Sequence, residues 1–436
     1  MAISTVEIVP NDSFIVVDAE NSSDTVAAVF STNCGPTASP ISLLSVFGND
    51  GEIEAGYILV TSLRDWIDRY VTAYTGKTFT DGVVIDGIDA PYSGVDVGGP
   101  CVGVASASGG DCFNGATGDL AKHWWGVHNY LQYGGVCVVG GEYRFGGISW
   151  GISLNPLTDK TKLTVVDVVF ALDHGLTQAN VVYNTVFGRN RDCVGILGTT
   201  GSLSGFGEPV DGQGGQISTI EPAKQFGTTY AHFGISVMGN KEHFGLENAS
   251  LDIISTPLMA DMAGCIARTD REQNPWFSPA GLARGRILNV LRVPDQPSET
   301  VQGILQTNNV NFALTLNGQG TFFFSDRTMS DVSGDPLRFI NVVRLYLYLN
   351  KVINPIAKQY LFEFNNADTR AAFRAAVSTI LDSIEGEGGI TDYSVICDET
   401  NNTQAIIDDN DFVVDITLRP ARSIAKLTLR FTNQAS

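Results

Sequence analysis

Apolar stripes of helical period alternate with short β-branched runs along most of this chain, which confines it to mixed α and β folds. Leu63, Trp66, Ile67, Tyr70, Val71 and Tyr74 form one helical stripe behind Ser62, with Asp65 completing a partial capping box. Asp119 is expected to cap a second helix through Gln132, with Leu120, Trp124, Val127 and Leu131 on one face. Gly134-Gly135 stops it, and 136–139 reads as a buried strand. The unit recurs as strand 165–172, helix 177–190 and strand 193–197. Further on, Phe312, Leu314 and Leu316 alternate into Asn317-Gly318-Gln319-Gly320 and then 321–324, a hairpin signal. Asp335-Pro336 is an N-cap with proline behind it, predicting a long helix over 337–351 that Pro355 ends or kinks. A last helix over 368–384 places Phe373, Val377, Ile380, Leu381 and Ile384 on one face.

Glycine divides the chain. Residues 80–118 hold ten glycines and no lysine or arginine, which predicts a peripheral loop. A second glycine-rich stretch, 195–215, precedes the C-terminal part. The 436 residues suffice for two or three domains of about 100–200 residues each. The expected class is a multi-domain α/β (α+β) protein, a mixed-sheet core flanked by helices.

Charge narrows the function. Acidic residues outnumber basic ones 47 to 27. This argues against nucleic acid and anionic membranes as partners, because both are gripped by lysine and arginine. No apolar run approaches the ~20 residues of a membrane span. The first residues, Met1-Ala2-Ile3-Ser4-Thr5-Val6-Glu7, lack the basic and apolar regions of a secretory signal, so folding in a cytosol is expected. Seven widely spaced cysteines without a C-x-x-C fit free thiols there, Cys101 and Cys112 in their shared glycine-rich loop included. The acidic excess is uneven: residues 1–260 hold 11 basic and 27 acidic side chains, residues 261–436 hold 16 and 20. Like charges resist packing, so self-assembly is expected through the near-neutral C-terminal part.

The two ends carry opposite charge and strand-like patterns. Residues 1–24 have five acids and no base, with β-branched runs that contain Val6, Ile8 and Val16. Residues 417–436 have four bases, Arg419, Arg422, Lys426 and Arg430, and no acid. Here Leu427, Leu429 and Phe431 alternate with polar residues, as Val414, Ile416 and Leu418 do before them. Periodicity leaves two alternatives open: the ends pair within one subunit, or they add strands to neighbouring subunits.

The search for chemistry finds little. Gly76-Lys77-Thr78 lacks the upstream glycine and the preceding strand of a phosphate loop, and Gly201-Ser202-Leu203-Ser204-Gly205 is out of register for a nucleophile elbow. His123 and His128 are five apart and diverge on a helix, while His174, His232 and His243 have no ligand-like spacing. Asp408-Asp409-Asn410-Asp411 lacks the spacing and terminal glutamate of a calcium loop and reads as a solvated turn. No catalytic, cofactor-binding or metal residue is assigned.

One ordered set of motifs does carry information. Gly264-Cys265-Ile266-Ala267-Arg268-Thr269-Asp270-Arg271-Glu272, Trp276 and Ser278-Pro279-Ala280-Gly281 come first. Arg338-Phe339-Ile340-Asn341-Val342, Arg344-Leu345, Phe362-Glu363-Phe364-Asn365 and Tyr393-Ser394-Val395-Ile396-Cys397-Asp398 follow. Asn402-Thr403, Ile407-Asp408, Val414-Asp415-Ile416 and Pro420-Ala421-Arg422 close the series. Together they resemble the signature of contractile tail sheath proteins over roughly 255–436, and more weakly over 41–255. The chain departs from that family at Gln273-Asn274-Pro275, where Arg-Gly is common, at Val343 and at Phe324-Ser325.

The resemblance implies a structural subunit, not an enzyme, that needs no cofactor. Such subunits stack as hexameric rings, a helical homo-polymer around an inner tail tube, and contract on a baseplate trigger to drive the tube through a cell envelope. Further implied partners are the baseplate and tail-terminator proteins. The implied location is a virion tail assembled in the host cytoplasm, with no direct membrane insertion. The parts the resemblance implies are an N-terminal β-arm (1–24), an outer, acidic and glycine-rich α/β region (25–255, contributing in part to the core, with 76–118 a glycine-rich peripheral loop), a sheath core (256–416) and a C-terminal β-arm (417–436). Arms at both ends thread into neighbours' sheets, which favours Val6, Ile8, Val16, Ile416, Leu418, Leu427, Leu429 and Phe431, with Arg422, Lys426 and Arg430, as inter-subunit residues. About five buried apolar side chains per arm, at ~1.5–3 kcal/mol each, set the scale before ordering costs. Arg344, Arg370 and Arg374 on the two long C-terminal helices are candidates to face the tube. Two alternatives stand beside this: an α/β enzyme using a glycine-rich loop, and a sheath of a bacteriocin-like or cell-borne injection machine.

Overall fold

A computed structural model describes residues 26–31, 57–60, 62–64, 119–141, 143–145, 148–150, 166–171, 176–199, 230–244, 253–294 and 296–423. Strands β1 (Val26–Ser31), β2 (Tyr57–Val60), β3 (Val136–Gly141), β6 (Val168–Ala171), β7 (Val194–Thr199), β8 (Gly234–Met238) and β11 (Val310–Asn311) form one sheet. Its order is β11-β8-β7-β6-β1-β3-β2, parallel throughout except where β2 meets β3. The βαβ rhythm of the sequence accounts for this arrangement, since parallel neighbours need a crossover. Helix α1 (Asp119–Leu131) stops at Gly134 (φ +85°) and leads into β3; α2 (Leu176–Gly188) joins β6 to β7 with Val168 beside Val194. Residues 166–170 and 192–198 are buried without interruption, the pattern of parallel strands covered on both faces. Of the first expected helix, 63–64 are helical, and the rest of that stripe lies outside the described residues.

Small hairpins surround this sheet: β4 (Tyr143–Phe145) with β5 (Ile148–Trp150), and β9 (Asn240–Phe244) with β10 (Ile253–Pro257). Helix α3 (Met259–Glu272) packs on β6, β7 and α1. The short α4 (Gly281–Arg284) and α5 (Glu299–Thr307, with Ser298 as its cap) follow. The expected hairpin forms as β12 (Ala313–Leu316) and β13 (Gly320–Phe323), turning through Gly318 and Gly320 at φ +77° and +91°.

The long helix departs from expectation at both ends. Asp335 Oδ1 does accept from Leu337 N at 2.8 Å, but it caps only a 3₁₀ turn, Pro336–Arg338. Phe339 is extended: it bridges to Arg327, whose guanidinium lies 4.4 Å from its ring, and Ile340 N donates to Asp326 O. Helix α6 therefore starts at Ile340, and it runs through Pro355 to Gln359. A proline so near the C-terminus leaves the earlier hydrogen-bond ladder intact, and Tyr360 beyond it packs edge-on against Phe373.

Two opposite faces of α6 are apolar, so it joins two cores. Ile340, Val343 and Leu347 enter the sheet core. Leu345, Leu349 and Ile353, on the far side at helical spacing, enter a second core with Trp276 and with Phe373, Val377, Leu381 and Ile384 of α7 (Ala367–Gly386). Strand β14 (Ile390–Ile396) and strand β15 (Asp415–Pro420) cover that core, with α8 (Gln404–Asp408) on the connection between them. The expected α7 stripe is thus its buried face, with Ile380 partly buried beside it. Among the described residues, no helix is long and apolar enough to cross a membrane.

Candidate assembly surface

The β14–β15 ladder is antiparallel, running from Ile396 beside Asp415 to Ile390 beside Pro420, with an irregularity between Ile390 and Asp392. Side chains alternate across it, as period 2 requires. Tyr393, Val395, Ile416 and Leu418 turn toward the second core, while Asp392, Ser394, Thr417 and Arg419 are exposed. Among the described residues the sheet has only these two members. Among the described residues, each strand therefore has one outer edge of backbone donors and acceptors with no ladder partner, the feature that templates strand addition. Beyond Pro420, Ala421 N donates to Gly389 O and Ser423 Oγ to Asp326 Oδ2 at 3.3 Å, so the chain is anchored as far as Ser423.

The candidate residues separate into three groups. Ile416 and Leu418 belong to the chain's own ladder, and Arg422 is exposed just past it. Val6, Ile8, Val16, Lys426, Leu427, Leu429, Arg430 and Phe431 lie outside the described residues. Of the three arginines assigned to a tube-facing surface, two are inside the protein. Arg344 pairs with Asp270 of α3 and lies 3.6 Å from Asp167 Oδ1, which also takes Lys351. This network clamps α6 to the head of β6 and to α3. Arg370 donates to Asn365 Oδ1 at 2.8 Å and holds the turn before α7. Arg374 alone of the three is exposed. Helical periodicity could not reveal this, because the carboxylate partner of Arg344 is 74 positions away.

Sequence reasoning also missed a polar cluster buried beneath α1. Lys241 Nζ donates to Asp261 Oδ1 and to Leu288 O, both at 2.8 Å, and both charged groups are fully buried. Tyr133 Oη donates to the same Asp261 oxygen and accepts from Leu288 N at 2.9 Å. Burial pushes the Asp261 carboxyl up and the Lys241 amine down, and their mutual attraction opposes both shifts. Next to it, the Trp125 ring lies 4.8 Å from both His128, edge-on, and His243, tilted. His243 Nδ1 meets Phe244 O at 3.0 Å while its Nε2 faces Asn129 Nδ2, the pattern of a neutral ring.

Burial pushes both His128 and His243 down to about 4, helped by the neighbouring Lys241 charge. The folded protein therefore keeps these rings neutral where the unfolded chain takes up protons. Stability should be full above pH ~6.5, fall between ~6.5 and ~4, and level off below that, by at most about 3 kcal/mol per histidine. Urea unfolding at pH 7, 5.5 and 4.5 measures this slope, and His243→Gln should flatten it.

These groups are held by one another, and among the described residues no cluster of three or more His, Cys, Asp or Glu could hold a metal ion. The 408–411 acids lie on the turn that Asn410 (φ +62°) makes between α8 and β15. Cys137, Cys193, Cys265 and Cys397 are free and buried. The 76–78 and 201–205 motifs, with Cys101 and Cys112, lie outside the described residues.

Residues 332–434 match the family model of the phage tail sheath C-terminal domain. The chain is 30% identical over 329 residues to the tail sheath protein of Vibrio phage KVP40, covering 72% of this chain and 48% of that protein. It is 41% identical over 180 residues to the tail sheath protein of Enterobacteria phage T4, covering 41% and 27%. The chain thus spans half or less of the length of these relatives. In fold it is similar to the sheath complex of an extracellular contractile injection system in the contracted state. That likeness has a TM-score of 0.62 at 18% identity and covers 100% of this chain and 98% of that one.

Proposed function

Since this chain is a relative of the tail sheath proteins and carries their C-terminal domain, we propose that it is a structural subunit of a contractile tail sheath. Copies polymerise as stacked rings around an inner tube, on a baseplate, and shorten to drive the tube through an envelope. The observation that carries this reading is the β14–β15 ladder, two-membered and open-edged among the described residues, with basic, strand-patterned residues 424–436 following its anchored end. Strands from neighbours' arms complete such a ladder and keep the lattice connected while rigid bodies rotate. Contraction then needs no nucleotide, because two packings of one sequence differ by contacts summed over many copies.

Ile416 and Leu418 hold the acceptor ladder, and the arm proper begins after Ser423. Opposite charge on the two ends, five acids against Arg422, Lys426 and Arg430, sets register more than affinity, at about 0.2–1 kcal/mol per pair. Deleting residues 1–20 or 424–436 should leave a monomer with unchanged melting temperature that forms no polymer by sedimentation or electron microscopy. Intact sheaths from either deletion would refute the arm mechanism, and a small closed oligomer from the full chain would favour the α/β enzyme. In the same frame Arg374 is the exposed cation on α7 that meets the tube. Arg374→Glu should weaken co-sedimentation with tube at least tenfold and leave sheath self-assembly intact.

A further inference from the structure

At the tip of the α6–α7 hairpin the chain places two phenylalanines in water. Phe362 is 89% exposed and Phe364 83%, whereas the next large apolar side chains among the described residues, Val332 and Leu282, are 53% and 51% exposed. This tip is built, not loose. Phe362 sits at φ +70°, a conformation a bulky side chain adopts only when its surroundings impose it. Asn366 N donates to Phe364 O at 2.9 Å, and Asn366 Oδ1 caps α7 through Thr369 N. Between the rings and the core, Asn365 Nδ2 donates to Asp411 O at 2.7 Å and accepts Arg370 on its Oδ1. Buried Asn402 ties in the same strand connection through Val413. Buried Arg370 and the three asparagines Asn365, Asn366 and Asn402 thus hold both rings outward.

The opposite end of the same hairpin carries a complementary surface. Asn341, at the start of α6, donates to Trp276 O, and Trp276 packs against Ile384 near the end of α7. The segment that follows Trp276 exposes Leu282, with half-buried Arg284 and exposed Arg286 two and four residues on. Arg284 lies over the Phe277 ring at 5.3 Å and donates to Ser278 O. Ser278 and Ser423 both meet Asp326, which brings exposed Arg422 to this end. Of the acids at this end, Asp326 and Glu387 are engaged, by the serines and by Asn274, while Glu272 and Glu385 are exposed. The phenylalanine tip is acidic: exposed Glu363, Asp368, Glu399, Asp409 and Asp411 outnumber exposed Lys358 and Arg374. A 20-residue helix separates the two ends by about 30 Å.

We propose that Phe362 and Phe364 of one copy seat against Leu282 and its arginines on the next copy, joining helical hairpins head to tail. Two different surfaces on one molecule make a heterologous contact, which propagates as an open polymer when its rotation does not close. Aromatic rings flanking the exposed Glu363 carboxylate fit a surface that presents guanidinium groups. The inference rests on the sheath reading and adds a contact that the arms do not make.

The test mixes full-length Phe362→Cys and Leu282→Cys chains in one polymer, both carrying Cys34→Ser, Cys101→Ser and Cys112→Ser, treated with a short bis-maleimide. Cross-linked dimers should form in the mixture and not in either variant alone. A Phe362→Ser/Phe364→Ser chain should keep its melting temperature, since it loses no buried contact, and yield at least tenfold less polymer. Wild-type polymer without mixed dimers, cross-links from position 362 to tube protein instead, or normal polymer from the double serine variant each overturn the proposal while leaving the sheath reading standing. A wild-type chain that never polymerises overturns both.

Discussion

Gly264→Ala should cost the protein about 1–3 kcal/mol, a large fraction of the net stability of a folded domain. Gly264 lies inside α3, where alanine ordinarily stabilises a helix. Here an added Cβ would sit within 2.6 Å of Tyr133 Cγ and 2.8 Å of its Cε2. The ring cannot step aside freely, because its hydroxyl is held by Asp261 and Leu288. Either the helix shifts, at an overpacking cost of about 1–3 kcal/mol, or Tyr133 leaves and strands the buried carboxylate, at a similar cost. Urea denaturation followed by circular dichroism measures the loss. Gly264→Ala combined with Tyr133→Leu, which frees the space, should be more stable than Tyr133→Leu predicts by additivity. An unaffected Gly264→Ala chain would mean that α3 and α1 do not approach so closely.

Lys241→Met is the second large effect. Removing the ammonium leaves Asp261 fully buried with Tyr133 as its remaining partner, and breaking such a pair costs about 3–5 kcal/mol. Replacing both charges, as Lys241→Met/Asp261→Leu, removes the stranded group and should recover most of the loss. The pair's energy therefore resides in its mutual dependence: desolvation opposes both charged forms, and each is tolerated only because the other is 2.8 Å away. Equal destabilisation in the single and double variants would show that packing around Lys241, not charge, carries the effect.

Much of the fold was legible because local periodicity survives in it. The 119–132 helix, the 136–139 strand and the 368–384 helix formed within two residues of expectation as α1, β3 and α7. The helix placed from 337 failed locally. Phe339 answers to Arg327 and Asp326 rather than to its sequence neighbours, and that long-range bridge converts one helix into a 3₁₀ turn, an extended residue and α6. Likewise Ile416 and Leu418 have the alternation of an arm, yet they pair with β14, since period 2 states which face a residue takes and not which strand lies beside it.

By itself the sequence determined the helix and strand rhythm, the acidic excess of the first 260 residues, the strand-like ends of opposite charge and the ordered motifs that resemble sheath proteins. These are properties of neighbours along the chain or of summed composition. Only the tertiary structure decided that Arg344 and Arg370 are internal clamps, that Lys241 and Asp261 share a dry site, and that Phe362 and Phe364 stand in solvent. Burial of a charge and exposure of a ring both depend on groups tens to hundreds of positions away, and no local pattern encodes that distance.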